Sequence, residues 1–472
     1  MSTEESSSQE SVLNVSQPSD TELGSEEKEQ ESKISLRAER SGLGALLSSL
    51  RSDQLTTEIK RLSTSPSKDE EKEQEEETRP LNRKEKRRLQ RLQEEEKVEV
   101  EVKKKAPEII EPAKIPSELR NLYSDTASFD FYEATFGYKC TQKNNFVHFA
   151  LQNQEGTHAI AASQDRYLRL YSLENNEVKW KRNMGGLILD SCWEDSGKGV
   201  FVSTSRRPIQ LFDLSTGDTI GAYNGKDAGD NIKEAMCVGQ VGNNLIGGFK
   251  NLFQLWDIEF TGDAISTIKY QDKSFNTGIT GLSMSVTSHP TMPDLFAAAG
   301  SSPLLGIYSM NWANAVSTME GSQKGYTNVR FSPDGLKLYA SERGGDIHCF
   351  DTRMNMMTQI LHRDMSTNHR SRFDIDPSGR LLFSGTSSGD VVVFDLHDFN
   401  EEIQPVLTCH VASRCVPCVS VRNNRIVLCT GQRVFPDDPL LNEKAEEKEH
   451  GGDVEMVDTV ATGNSVQIWE ML

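Results

Sequence analysis

The residues best suited by type and spacing to do chemistry are Cys415-Val416-Pro417-Cys418, with Cys409, His410 and Cys429 close by in the chain. Thiolates and an imidazole grouped this way bind zinc when four ligands converge, and two thiols alone can form a redox pair. The neighbouring residues favour a different reading. Cys415 to Val421 has the pattern of a buried strand, in which cysteine acts as a small hydrophobe. The eight cysteines are spread over 472 residues rather than packed as a secreted disulfide framework, which points to a reducing compartment. No Gly-rich Gly-Lys-Ser/Thr phosphate loop occurs, no spacing of Ser, His and Asp singles out a triad, and His348 falls inside a strand ending. The sequence is therefore expected to encode no enzyme, and to need neither a metal nor a cofactor.

A second set of residues is cationic: Arg166, Arg206, Arg207, Lys250, Arg343, Arg370, Arg372 and Arg433. Arginine presents a planar fork of donors that matches phosphate oxygens and base edges bidentately. The chain around them is acidic, with 71 Asp and Glu against 52 Lys and Arg and a formal net charge of −19. Taken as a whole this charge opposes nucleic-acid binding, because phosphates attract basic surfaces. The charge is unevenly placed, however. Residues 1–120 carry −6, residues 436–462 carry −7, and the remainder carries −6. No apolar run reaches the ~18 residues of a membrane-spanning helix. Acidic and Ser residues after Met1 replace the basic and apolar start of a signal peptide.

The elements that must position these side chains are set by a repeat. Seven short alternating segments end in an aromatic residue followed by an acid or Ser: Leu168–Ser172, Ile209–Asp213, Phe253–Asp257, Leu305–Ser309, Ile347–Asp351, Val391–Asp395 and Val466–Glu470. Their aromatic positions are 171, 212, 256, 308, 350, 394 and 469, and removing the acidic stretch 436–462 shortens the last interval to the scale of the others. A period of about 40–45 residues with this ending marks the blades of a WD-repeat propeller. A segment of small and β-branched residues precedes most endings, as in Ala161-Ala162-Ser163 and Ala297-Ala298-Ala299-Gly300. Ser332-Pro333-Asp334-Gly335 and Asp376-Pro377-Ser378-Gly379 are tight turns between the first and second strands of two blades. The expected fold is all-β: a seven-bladed WD40 propeller over residues 121–472, closed by Phe129–Thr135 pairing with Val466–Trp469. The acidic stretch 436–462 becomes a loop insert.

Residues 1–120 contain no aromatic side chain, and the whole chain is only 36% hydrophobic. Such a segment buries too little apolar surface to offset its ordering entropy, so it reads as a disordered tail. Within it, Gly42–Leu62 is amphipathic and Asn82–Glu96 is basic. The first pattern suits docking on a partner; the second suits nuclear import, a phosphate contact or a solvated helix.

In the propeller, one rim is built from the loops between second and third strands. Those loops contain Asp165-Arg166, Arg206-Arg207, Lys250-Asn251, Ser301-Ser302, Arg343-Gly344, Ser387-Ser388 and Gln432-Arg433. Arg370 and Arg372, just before a first strand, add to the same side. Read from the residues alone, such a rim serves an RNA or an acidic peptide equally well, or pairs with Asp residues inside the disc.

The stretch Ser366–Gly379, containing Thr367-Asn368, Arg370, Phe373-Asp374 and Asp376-Pro377-Ser378-Gly379, resembles a block of the telomerase Cajal body protein family. Asn145-Phe146, Ser205-Arg206-Arg207-Pro208-Ile209, Thr216-Gly217, Ala222-Tyr223-Asn224, Gly248-Phe249 and Asp351-Thr352-Arg353 resemble further segments of it. The likeness covers residues 120–435 and the final strand. It implies a non-catalytic scaffold in the nucleus and its Cajal bodies. Such a scaffold binds the Cajal-body box of small H/ACA-type Cajal-body RNAs, with H/ACA ribonucleoprotein proteins and telomerase as partners and no membrane. The eight cations named above are the expected RNA contacts. Arg353 and Gly389 are expected to be structural. The alternative is a WD40 peptide-binding scaffold that assembles a nuclear protein complex without reading RNA.

Overall fold

The computed structural model describes residues 111–129, 145–433 and 463–472, apart from Ala228, 272–276, Ala313, Gly344 and Asn368. The two tail segments, most of the proposed Phe129–Thr135 strand and the acidic insert lie outside them. Seven antiparallel sheets form the blades of a propeller. After β1 (Leu119–Asp125), the first blade is β2 (Val147–Gln152), β3 (His158–Ser163), β4 (Tyr167–Ser172) and β5 (Glu177–Asn183). The second is β6 (Ile188–Trp193), β7 (Gly199–Thr204), β8 (Ile209–Asp213) and β9 (Thr219–Asn224). The third holds β10 (Cys237–Val241), β11 (Asn244–Gly248) and β12 (Leu252–Asp257); after β13 (Gly262–Asp263), β14 (Ser266–Lys269) completes it. The fourth is β15 (Ser283–Ser288), β16 (Leu295–Gly300), β17 (Leu304–Ser309) and β18 (Ala315–Glu320).

The fifth blade is β19 (Tyr326–Phe331), β20 (Lys337–Glu342), β21 (Ile347–Asp351) and β22 (Met356–Leu361). The sixth holds β23 (Asp374–Ile375), β24 (Leu381–Gly385) and β25 (Asp390–Asp395); after β26 (Glu402–Ile403), β27 (Leu407–His410) completes it. The last is β28 (Cys418–Arg422), β29 (Arg425–Thr430) and β30 (Ser465–Met471), with β1 on its outside. All seven aromatic endings are third strands, and both predicted turns join first to second strands. The two short extra strands lie parallel on the outer edges of blades two and five, where β13 pairs with β9 and β26 with β22. They cover edges that would otherwise present unpaired backbone groups.

The ring closes as a latch, but through a different segment from the one expected. The outer strand of the last blade is β1, which runs antiparallel to β30 from Leu119 opposite Met471 to Asp125 opposite Val466. Phe129 instead sits buried in a 3-10 turn, Ala127–Phe129, beneath the Arg169 guanidinium at 4.5 Å from its ring centre. Both segments alternate apolar and polar residues. The segment nearer the N-terminus wins because Leu119 packs in the cluster of Val421, Ile426 and Trp469. The small residues of the second strands do what their size suggests: Ala161, Ala162, Ala297, Ala298, Ala299 and Ala340 are fully buried between blades.

Candidate nucleic-acid interface

The first strands of the seven blades, β2, β6, β10, β15, β19, β23 and β28, surround a central channel. Antiparallel connection then places the second-to-third-strand turns and the blade-to-blade segments on one face. Backbone hydrogen bonds tie the two sets together around the ring: Met184 N–H to Arg166 O, Ser205 N–H to Leu187 O, Asn251 N–H to Gly281 O, Arg343 N–H to Gly325 O and Val416 N–H to Thr386 O. The opposite face carries the first-to-second-strand turns.

Arg166, Arg206, Arg207, Lys250, Arg343 and Arg433 all stand on the first of these faces. Five are exposed and Arg166 is half-buried. For the first five, no ion pair or side-chain hydrogen bond forms among the described residues. Arg433 lies close enough to the His369 imidazole to push its pKa down, after burial. Arg166 and Arg206 are held at φ 65° and 60°, and Asn251 beside Lys250 at 63°. The left-handed region is unfavourable for a residue with a Cβ, and such backbone strain gathers at functional sites. In the equivalent turn of blade six the position is Gly389, at φ 94°, where a Cβ would overlap the Ala412 carbonyl oxygen. Two blades therefore keep an arginine where glycine costs less. Gly389 and Arg353, which clasps Asp351 at 2.8 Å, are structural.

Arg370 and Arg372 lie elsewhere: they point into the channel rather than out from the loops. Arg370 donates to the carbonyls of Leu189 and Met236 and stands 3.7 Å from Asp190. Arg372 donates to Asp190 at 2.7 Å and covers the Phe149 ring at 4.5 Å. Both guanidinium groups are largely buried, so the structure divides the eight sequence-predicted cations into six on the rim and two in the throat. At the rim end, the channel opens into a cavity of about 170 Å³ bordered by Phe146, His148, Met236, Met284, His369 and Arg370. Phe146 packs against His148 edge-on at 4.7 Å and against His369 at 5.0 Å. This mouth is aromatic and largely apolar, ringed by cations.

Several charged residues that organise the site were not singled out from the sequence. Asp190, in the middle of β6, binds Arg372 and accepts from the Val238 N–H at 2.9 Å. Arg363 sits buried between two blades, donating to Ser341, Ser371 and Ser384 hydroxyls and to the Gly345 carbonyl. Burial lowers its pKa to about 10, although the nearby Asp346 charge works the other way. In blade one, Arg169 is fully buried and binds Asp165, while Asn145 bonds Asp165 through both its side-chain amide and its carbonyl. Burial alone would raise the Asp165 carboxyl; the Arg169 and Ser163 hydrogen bonds and the Arg169 charge hold it below the ordinary range. A signal for Arg169 was present, as the one charge inside the Leu168-Arg169-Leu170 ending.

The cysteine group makes no metal centre among the described residues, where no three His, Cys, Asp or Glu side chains converge as ligands. Cys415, Cys418 and Cys429 are buried. The Cys415 thiol lies 3.9 Å from the Met365 sulfur and is pushed up to about 12 by burial, and the Cys418 thiol donates to the Ala150 carbonyl at 3.2 Å.

Over 336 residues, which is 65% of this chain, the sequence is 26% identical to telomerase Cajal body protein 1 of Mus musculus and 27% identical to that of Homo sapiens. The chain resembles the telomerase Cajal body protein family. It spans 62% of the length of the mouse protein and 61% of the human one. A shorter likeness, 26% over 185 residues, links 38% of the chain to 47% of the guanine nucleotide-binding protein subunit beta of Oryza sativa subsp. indica. No family model matches the chain. Among the blocks that carry the resemblance to the telomerase Cajal body proteins, Ser205–Ile209 forms the Arg206-Arg207 turn of the rim and Ser366–Gly379 supplies His369, Arg370 and Arg372 to the mouth and throat, while Thr216-Gly217, Asp351-Thr352-Arg353 and the Asp376–Gly379 turn lie towards the opposite face.

Proposed function

We propose that the chain is a non-catalytic scaffold that binds a small RNA on the cationic rim, and that the RNA is an H/ACA-type Cajal-body RNA read at its Cajal-body box. The likeness to telomerase Cajal body protein 1 supports a scaffold associated with Cajal bodies in the nucleus and with telomerase; H/ACA ribonucleoprotein proteins are the partners proposed together with the RNA. The observation that carries the RNA reading is the placement of charge. In a chain of net −19, Arg166, Arg206, Arg207, Lys250 and Arg343 stand on one face without a carboxylate partner among the described residues. Two of these arginines are held in a left-handed backbone conformation.

The mechanism is recognition without bond chemistry. Rim cations take the phosphates, and an unstacked loop base enters the channel mouth against the Phe146 and His369 rings. Single-stranded RNA loops are read this way, by aromatic stacking together with donors to the base edges. Arg370, anchored by two carbonyls, stands at the floor of that mouth. An acidic peptide would find the same cations but would have no use for the aromatic mouth.

The test is ultraviolet crosslinking of RNA to the full chain and to the Arg206→Glu/Lys250→Glu variant. These exposed side chains have no partners among the described residues, so the melt stays unchanged while RNA recovery collapses. Full recovery from the variant would remove the rim from the interface.

A further inference from the structure

At the opposite end of the channel from the cationic rim, a cavity of about 200 Å³ is bordered by Arg330, Arg372, Arg422 and Ser191. Three guanidinium groups therefore face one small space at the centre of the disc. Their carboxylate partners are already shared. Asp190 serves Arg370 and Arg372. Asp374 serves Arg330 and Arg422, at 3.3 and 2.9 Å. Asp374 also accepts from the backbone N–H groups of Ile375 and Val421 and from the Ser420 hydroxyl. Four arginines thus divide two carboxylates.

Arg330 is the least satisfied of the four. Its ion pair with Asp374 is its sole polar contact among the described residues, and its side chain keeps 34% of its exposure, against 13% for Arg372 and 19% for Arg422. The Ser191 hydroxyl, on the wall of the same cavity, is buried and has no hydrogen-bond partner among the described residues. Two further acids border the cavities at this end: Asp195, exposed on the β6–β7 turn where water screens it, and Asp376, whose carboxylate accepts from the Ser378 hydroxyl and from the Ser378 and Leu381 N–H groups. The cavity therefore holds three guanidinium groups with unused donors and, among the described residues, an unpaired hydroxyl. That is the donor set that binds an oxyanion, because guanidinium forks match the tetrahedral oxygens in pairs.

We propose that this end of the channel is a binding site for a small phosphate, held by the Arg330, Arg372 and Arg422 guanidinium groups. The site is closed laterally by the inner strands of the blades, and its size suits a free phosphate or phosphomonoester. It lies on the opposite face from the rim and does not depend on the RNA reading. Burial lowers the Arg330 pKa, with the Arg422 and Arg372 charges acting the same way, whereas burial of Arg372 is outweighed by the Asp190 charge and hydrogen bond, which raise its pKa.

The experiment is calorimetric titration of the full chain with inorganic phosphate, against chloride at matched ionic strength. Saturable binding is expected in the native chain and in the Arg206→Glu/Lys250→Glu variant. Arg330→Gln is expected to weaken it at least about tenfold, the loss of one charge-assisted contact, while Asp374 keeps its pair with Arg422 in the unliganded chain. Arg330→Lys keeps the charge but loses the fork and is expected to fall between the two, which tests the site even if Arg330→Gln folds poorly. Absence of saturable heat, or equal affinity in the native, Arg330→Gln and Arg330→Lys chains, would overturn the proposal.

Discussion

Acid should loosen this propeller at one identifiable histidine. His148 lies on β2 at the wall of the channel mouth, edge-on to Phe146, and its Nε2 is buried without a partner among the described residues. Burial comes first, and the neighbouring His369 next, in lowering its pKa from 6.5 to about 4, although a Gln164 hydrogen bond works the other way. A histidine depressed in the folded state favours the neutral form. Its contribution is fully present above pH 6.5 and is lost as pH falls towards 4, where the folded ring begins to charge. At about 1.36 kcal/mol per pKa unit, the loss between pH 7.5 and pH 4 is about 3 kcal/mol. His158, His289, His348 and His369 are lowered as well and act in the same direction, so the native chain alone does not isolate the effect. His148→Asn keeps an amide near the bonded ring nitrogen and carries no charge at any of these pH values. Urea unfolding of both chains at pH 7.5 and pH 4 is the assay. The variant should lose about 3 kcal/mol less than the native chain on acidification. Equal losses would refute the assignment of the buried imidazole.

Two further outcomes concern stability. Arg169→Met leaves Asp165 buried without its cation and should cost about 3–5 kcal/mol at neutral pH, with most of that recovered in Arg169→Met/Asp165→Asn, measured by denaturant unfolding as a double-mutant cycle. Removing residues 463–472 deletes β30, which pairs with both β29 and β1, so calorimetry should show no cooperative transition; an unchanged melt would contradict closure by that strand.

Much of this architecture was legible because each blade repeats the same local chemistry. The aromatic at the end of a third strand, as in Trp256 and Tyr308, recurs because each blade must bury one large ring against its neighbour, and both are fully buried. The Pro333-Asp334-Gly335 turn was readable because its dihedrals demand those residue types, with Gly335 at φ 75°. The closing strand was harder. Phe129–Thr135 and Leu119–Asp125 carry the same alternation, and only the partner register across 350 residues, shown by Arg120 against Glu470, separates them. The rim cations were readable as loop residues, since exposure follows from the turns that hold them. Arg370 and Arg372 were not placed by the same logic. Their destination depends on Asp190, 182 residues away from Arg372 in sequence and with no local signature of its own. Arg330 and Asp374 were missed for the same reason: a charge on a first strand acquires a role only when seven such strands meet at an axis.

The central claim is that the rim reads a specific class of RNA, and the most direct measurement is to crosslink the full chain in cells and sequence the RNA recovered with it. The account predicts enrichment of small H/ACA-type RNAs, with crosslinks concentrated in a single-stranded loop and lost in Arg206→Glu/Lys250→Glu. Recovery of messenger RNA background alone, with partners insensitive to RNase, would contradict it and leave a peptide-binding scaffold.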